Sequence, residues 1–306
     1  MISVLARGVT LLGLLLALGP PSTAGAAPDR APEGPPQTSW PAAWAYSIEH
    51  PDALPPGLND FSRRPTAAHP RPVLLVNGTF ENSYANWAMY SPKLKADGYC
   101  VFGLNYGGPE TGPFHQTGDM RVSAQQVGDY VDTVLAATGA DRVDIVGHSQ
   151  GGLVPLYFIN RLGGQSTVGT MVGVAAATHG ISAYGMLNLL AMNPQAKDLV
   201  GQVIPAVDDG TAGSAFVTET GVGGMTRPEV DYATVSSRSD LVVQLSESQL
   251  PPGPNVSNIV VQDFCAEDQT NHGTMVYDDV TLRVVRNILD PATAVAPACH
   301  AVAPLP

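Results

Sequence analysis

Basic side chains and cysteines are scarce in this chain. Lys and Arg together number 15 in 306 residues, against 27 Asp and Glu, for a formal charge of −12. The cations are scattered, so no basic stripe awaits a phosphate backbone or an anionic bilayer. Nucleic acid and anionic membranes are therefore not expected as partners. The three cysteines, Cys100, Cys265 and Cys299, form no C-x-x-C and no His/Cys cluster with ligand spacing. No metal and no cofactor is expected. Long apolar runs are missing too: no run reaches the roughly 18 residues that a spanning helix needs, so stable membrane insertion is not expected. Internal repeats are absent, and nothing in the pattern speaks to oligomeric state.

What the chain does have is 44% hydrophobic residues, 32 glycines and 27 prolines, enough for one large core with many turns. Residues 1–26 read as an export signal. Arg7 gives the positive start, Leu11 to Leu18 the short apolar core, and Ala24-Gly25-Ala26 a small-residue cleavage site, which predicts a secreted protein cut near Ala26. Residues 27–70 are Pro-rich and lack periodicity. They read as an extended arm, anchored in part by Trp40, Trp44 and Tyr46.

From residue 71 to 306 strands and helices alternate. Pro72–Val76 is a buried strand and Tyr84–Ala96 a helix ended by Asp97-Gly98. A strand follows over 99–105. Val127, Tyr130, Val131 and Val134 then form the inner stripe of a long helix at i, i+3, i+4, i+7. Further strands are expected at 142–146, 168–175, 230–235 and 257–262, and a last helix at 276–289. The alternation implies an α/β fold: a mostly parallel, doubly wound sheet with helices on both faces. Residues 181–227 break it, with a short apolar helix at 186–192, and read as a small cap insertion over the site.

The motif that organises the rest is Gly147-His-Ser-Gln-Gly-Gly152, between the strand ending at Val146 and a helix from Leu153 to Arg161. Strand, G-x-S-x-G, helix is the nucleophile elbow of the α/β-hydrolase fold, and the glycines suit a turn too tight for a Cβ. Ser149 is then the candidate nucleophile. A serine needs a base, and the base needs an orienting carboxylate, in the chain order Ser, acid, His. Of seven histidines, His50, His69, His115 and His148 precede Ser149, His179 precedes any suitable acid, and His300 lies in a Pro/Ala tail. His272, in a polar loop after the last strand, is the candidate base. Asp240, in the loop after the 230–235 strand, is the candidate acid. The N–H of Gln150 and that of Thr79, after Asn77-Gly78, are the expected oxyanion donors. Export permits a disulfide, and Cys265–Cys299 is the pairing expected, stapling the tail to the His272 loop and leaving Cys100 as a buried thiol.

Asn77-Gly-Thr-Phe80, Gly98-Tyr-Cys-Val-Phe102, the Gly-His-Ser-Gln-Gly-Gly elbow, Ser239-Asp240 and His272 together resemble the secreted bacterial class 2 lipases, and more distantly the yeast lipase-B type, over residues 58–300. The resemblance implies carboxylic ester hydrolysis, on lipid or other ester substrates met at an oil–water interface, with Ser149, Asp240 and His272 as the triad. It also implies that the Thr79 hydroxyl helps hold the oxyanion. Two departures stand out: relatives carry His-Gly-Thr where this chain has Asn77-Gly-Thr79, and a cysteine near Arg63 that would pair with Cys100 is missing. A polyester or cutin hydrolase, or an acyltransferase on the same triad, is the alternative within enzymes. A catalytically silent surface-binding module is the alternative outside them, and it predicts a wrongly filled triad position. All three positions are filled.

Overall fold

A computed structural model describes residues 31–182 and 201–303. The expected export signal at 1–26 and the expected short helix at 186–192 lie outside them.

Six parallel strands carry the structure in the order β2-β1-β3-β4-β5-β6. They are β1 (Val73–Val76), β2 (Val101–Leu104), β3 (Val143–His148), β4 (Val168–Val174), β5 (Asp231–Ser236) and β6 (Val256–Val260). Apolar side chains of β1 face both ways because both faces are covered. Val73 and Leu75 join a core with Trp87, Leu94, Val280 and Val284, while Leu74 and Val76 join another with Val127, Val131, Leu153 and Ile159. Helices α2 (Ser83–Trp87), α3 (Tyr90–Ala96) and α9 (Asp279–Leu289) cover the first face. Helices α4 (Met120–Thr138) and α5 (Gln150–Arg161) cover the second. The chain therefore has the α/β-hydrolase fold. Strand order reverses between β1 and β3, which opens a crevice at their carboxyl ends where ligands bind in such sheets.

Several local expectations need correction. The 84–96 helix is two helices, α2 and α3, broken at Ala88 and Met89. Pro92 is the reason: in one continuous helix it would lack the N–H for the Ala88 carbonyl and clash with it, whereas in the first turn of α3 it is harmless. The arm is not extended throughout. Residues Trp40–Glu49 form helix α1, entered from Ser39 in extended conformation with Pro41 in the first turn, where proline favours a helix. The elbow helix begins at Gln150, three residues earlier than its apolar stripe suggests. The last helix begins at Asp279, where the Asp278 carboxylate accepts from Thr281 N–H, and a single 3₁₀ turn precedes it.

Of the 181–227 insertion, two short helices are described, α6 (Pro205–Asp209) and α7 (Ala215–Thr220). Arg121 on α4 ties both down, reaching Asp209 at 3.3 Å and Glu219 at 2.9 Å. A short helix, α8 (Leu245–Ser248), lies between β5 and β6.

Candidate active site

The turn after β3 leaves no room for side chains. A Cβ on Gly147 would lie 1.8 Å from the Gly151 carbonyl oxygen, and one on Gly151 would lie 2.1 Å from that of Val76. Between them Ser149 takes φ 55°, the left-handed region that a non-glycine residue rarely occupies. The turn is held by Ser149 N–H donating to Val174 O and by Ala177 N–H donating to Ser149 O. Ser149 thus stands at the end of β3 beside the crevice.

Two other strand ends supply its neighbours. After β5, Asp240 is buried, and its Oδ1 accepts from the N–H groups of Val242 and Val243 at 2.7 and 2.9 Å. After β6, His272 places Nδ1 2.9 Å from Asp240 Oδ2 and Nε2 2.9 Å from Ser149 Oγ. Burial pushes the Asp240 carboxyl up, but the His272 hydrogen bond and charge, with the Val243 and Val242 N–H groups, outweigh it. The net shift is downward, so the group stays an anion through the neutral range. An anion on Nδ1 fixes the imidazole tautomer that leaves Nε2 free to accept a proton from Ser149.

The loop after β1 faces Ser149 from the other side of the crevice. Gly78 packs so closely that a Cβ there would meet Ser149 Cβ and His148 Nδ1, each at 3.1 Å. Phe80 N–H donates to His115 O, and His115 N–H to Glu81 O, pinning the loop to residues 115–116. In the inverse carboxamide orientation, the one that satisfies its neighbours, the buried Gln116 nitrogen would donate to the carbonyls of Gly78 and Glu81 at 2.7 and 2.8 Å. Among the described residues neither Thr79 N–H nor Gln150 N–H has a protein acceptor. The Thr79 hydroxyl, by contrast, meets Gln150 Oε1 at 2.5 Å. The Gln150 amide nitrogen is buried without a partner. The inverse carboxamide orientation would let that nitrogen donate to Thr79 Oγ1 and free the threonine proton to turn into the crevice.

Two cavities meet at Ser149. One, of about 270 Å³, is apolar and lined by Met120, Leu153, Ile181, Ala206 and Val207. The other, of about 530 Å³, is walled by Trp40 and Trp44 of α1 with Leu241. Thr79, Phe80, Val242 and His272 border both. Trp40, Trp44 and Phe114 follow one another at 6.1 Å between ring centroids, and Leu241, 71% exposed, stands on the rim. Trp40 and Trp44 thus wall the site as well as anchoring the arm, a role that nothing in their sequence surroundings marks. Asn86 and His148 carry no signal of a place in the site beyond His148 standing inside the elbow motif itself.

Cys265 and Cys299 form a disulfide, and Cys100 is a buried free thiol with the Arg63 side chain against it. Among the described residues, the group of His, Cys, Asp and Glu atoms close enough to share a metal is Cys265, Glu267 and Cys299, and two of its three members are bonded to each other.

Residues 70–284 match the family model of lipase class 2. A triacylglycerol lipase of Pseudarthrobacter phenanthrenivorans and one of Burkholderia plantarii are each 36% identical over 96 residues, 30% of this chain. The chain matches only 28% and 25% of the length of these curated relatives. Among solved structures, Aspergillus fumigatus lipase B superposes with a TM-score of 0.58 at 16% identity, over 77% of this chain and 56% of that one. The mature form of Bacillus licheniformis lipase BlEst2 gives 0.56 at 16% identity, over 74% and 95%. Likeness at that identity speaks for the fold, and the match along residues 70–284 carries the rest: the chain belongs to the class 2 lipase family.

Proposed function

We propose that this protein is a secreted serine hydrolase that cleaves carboxylic esters of lipids. The observation that carries the reading is the chain from Ser149 Oγ through His272 to Asp240, with both links at 2.9 Å, at the junction of two largely apolar cavities. His272 Nε2 takes the hydroxyl proton as Ser149 Oγ attacks the ester carbonyl carbon. The N–H groups of Thr79 and Gln150 receive the oxyanion. His272 then gives its proton to the departing alcohol oxygen, leaving an acyl group on Ser149. A water molecule, deprotonated by the same Nε2, releases the carboxylic acid and restores the serine.

The acyl chain lies in the apolar 270 Å³ cavity and the alcohol part against the tryptophans. The described part of the 181–227 insertion serves as the cap of the acyl side, since Ile181, Ala206 and Val207 line that cavity. Export by the 1–26 signal is supported by the disulfide, and no helix among the described residues is long and apolar enough to cross a membrane.

A p-nitrophenyl ester series from acetate to palmitate, run beside Ser149→Ala and His272→Ala, tests the reading. Each variant is expected to lose on the order of a thousandfold or more in kcat, and the double variant little beyond either. Near wild-type turnover by either single variant would remove that residue from the mechanism.

A further inference from the structure

Behind the nucleophile turn, buried polar groups that the proposed chemistry does not use form one continuous hydrogen-bond chain. Gly78 N–H donates to Asn86 Oδ1 at 2.9 Å. That bond settles the orientation of the Asn86 carboxamide, so its nitrogen is the atom 3.0 Å from His148 Nδ1. A carboxamide nitrogen only donates, so His148 Nδ1 accepts and the ring proton sits on Nε2. His148 Nε2 in turn lies 2.9 Å from the carbonyl oxygen of His272. Asn86 is fully buried and His148 2% exposed, so losing either partner leaves a buried polar group unpaired.

The acidic neighbour does not disturb this assignment. Glu81 Oε2 lies 3.6 Å from His148 Nδ1, beyond hydrogen-bond range, while Glu81 Oε1 accepts from Trp40 Nε1 at 2.5 Å. The two ends of the chain are the two loops that must meet the substrate together, and they come from different strand ends, after β1 and after β6. The middle of the chain is the residue directly before Ser149.

We propose that Asn86 and His148 are positioning residues, holding the Gly78–Thr79 loop and the His272 loop in register with each other and with Ser149. The proposal rests on the ester-hydrolase reading. A loop that slips by about 1 Å loses the alignment of donor, base and nucleophile, which is worth on the order of a hundredfold in rate. His148 and Gly78 border the larger cavity, but its tryptophan and leucine walls and the apolar lining of the smaller one stand apart from the chain, so the loss is expected chiefly in kcat.

His148→Phe keeps a planar ring and removes both nitrogens; His148→Gln keeps a donor near the place of Nε2. His148→Phe is expected to lower kcat roughly 30- to 100-fold with KM within about twofold, and His148→Gln to restore most of it. Asn86→Leu should match His148→Phe, and the double variant should cost little more than one. Wild-type kcat in a folded His148→Phe enzyme overturns the proposal, as does an equal rise in KM. Should both variants fail to fold, long-range ¹H–¹⁵N NMR of the wild-type imidazoles decides: a His148 proton on Nε2 supports the chain, and one on Nδ1 overturns it. That measurement is independent of turnover, so a wild type that hydrolyses no ester would sink the ester-hydrolase reading while the tautomer still judged the chain.

Discussion

The turn that carries Ser149 and the two end segments that flank the site, the arm with α1 and the tail after α9, are held by opposite means. In the turn, backbone atoms exclude one another so tightly that only glycine fits at 147 and 151. The arm and tail are held by scattered ties, some from side chains and some from single backbone bonds such as Gln37 N–H to Ala88 O and Gln269 N–H to Val302 O. Trp40 reaches Glu81, Tyr84 donates to Pro35 O, Tyr46 packs on Tyr84 at 4.7 Å, and the tail hangs on Cys265–Cys299 and a single Asp268–Val302 bridge. Steric exclusion tolerates no substitution, whereas ties fail one at a time. That difference sets the sizes of the effects below.

The largest should come from Gly151→Ala. Its Cβ would need the space of three backbone atoms of β1's end, within 2.1 to 2.8 Å, so a loss of more than about 4 kcal/mol is expected. Circular dichroism of a soluble, cooperatively melting variant would break the comparison at its strongest point.

Next, Cys299→Ser should destabilise by about 3–4 kcal/mol in the chain-entropy account, the closed loop spanning 34 residues. Urea unfolding measures it, and the variant should keep its ester hydrolysis at 25 °C because no tail residue lines either cavity.

Asp268, fully buried beside that bridge, gives the tail a dependence on pH. Burial raises its pKa to about 6, opposed by Thr270 N–H and reinforced by Asp278. A raised carboxyl pKa means the folded state prefers the protonated form. The contribution is therefore present in full below about pH 4 and lost as pH rises through 6, up to about 3 kcal/mol in all. Asp268→Asn should flatten that fall in a melting series from pH 4 to 8; an unchanged slope would show that other groups set it.

The smallest effect should be that of Trp40→Phe, which keeps a ring over Gly273 and leaves Glu81 without its indole donor. About 2 kcal/mol is expected in urea unfolding.

The same contrast governs what could be read from sequence. A glycine demanded by a collision is visible locally, and the strand order then places Asp240 and His272 at neighbouring strand ends, so the meeting of these three side chains was legible. Helix α1 was not. Pro41 looks like a breaker, and only its place in the first turn makes it a helix starter. The break before Pro92 is hidden because the apolar pattern continues across it. Asn86 and His148 were invisible for another reason: their partners, Gly78 and the His272 carbonyl, lie 8 and 124 residues away and are backbone atoms, which leave no mark in side-chain composition.

Cys100 bears on how the protein wears out. It is the one free thiol the chain carries beside a disulfide, and burial first of all raises its pKa, with Arg63 opposing. Exchange with Cys265–Cys299 requires a thiolate that can touch sulfur, and the folded state denies both conditions. Heat must therefore part the sheet edge at β2 before the bridge can shuffle. Irreversible ageing should follow the opening of that edge and quicken in alkali, long before any loss registers in the chemistry of the site itself.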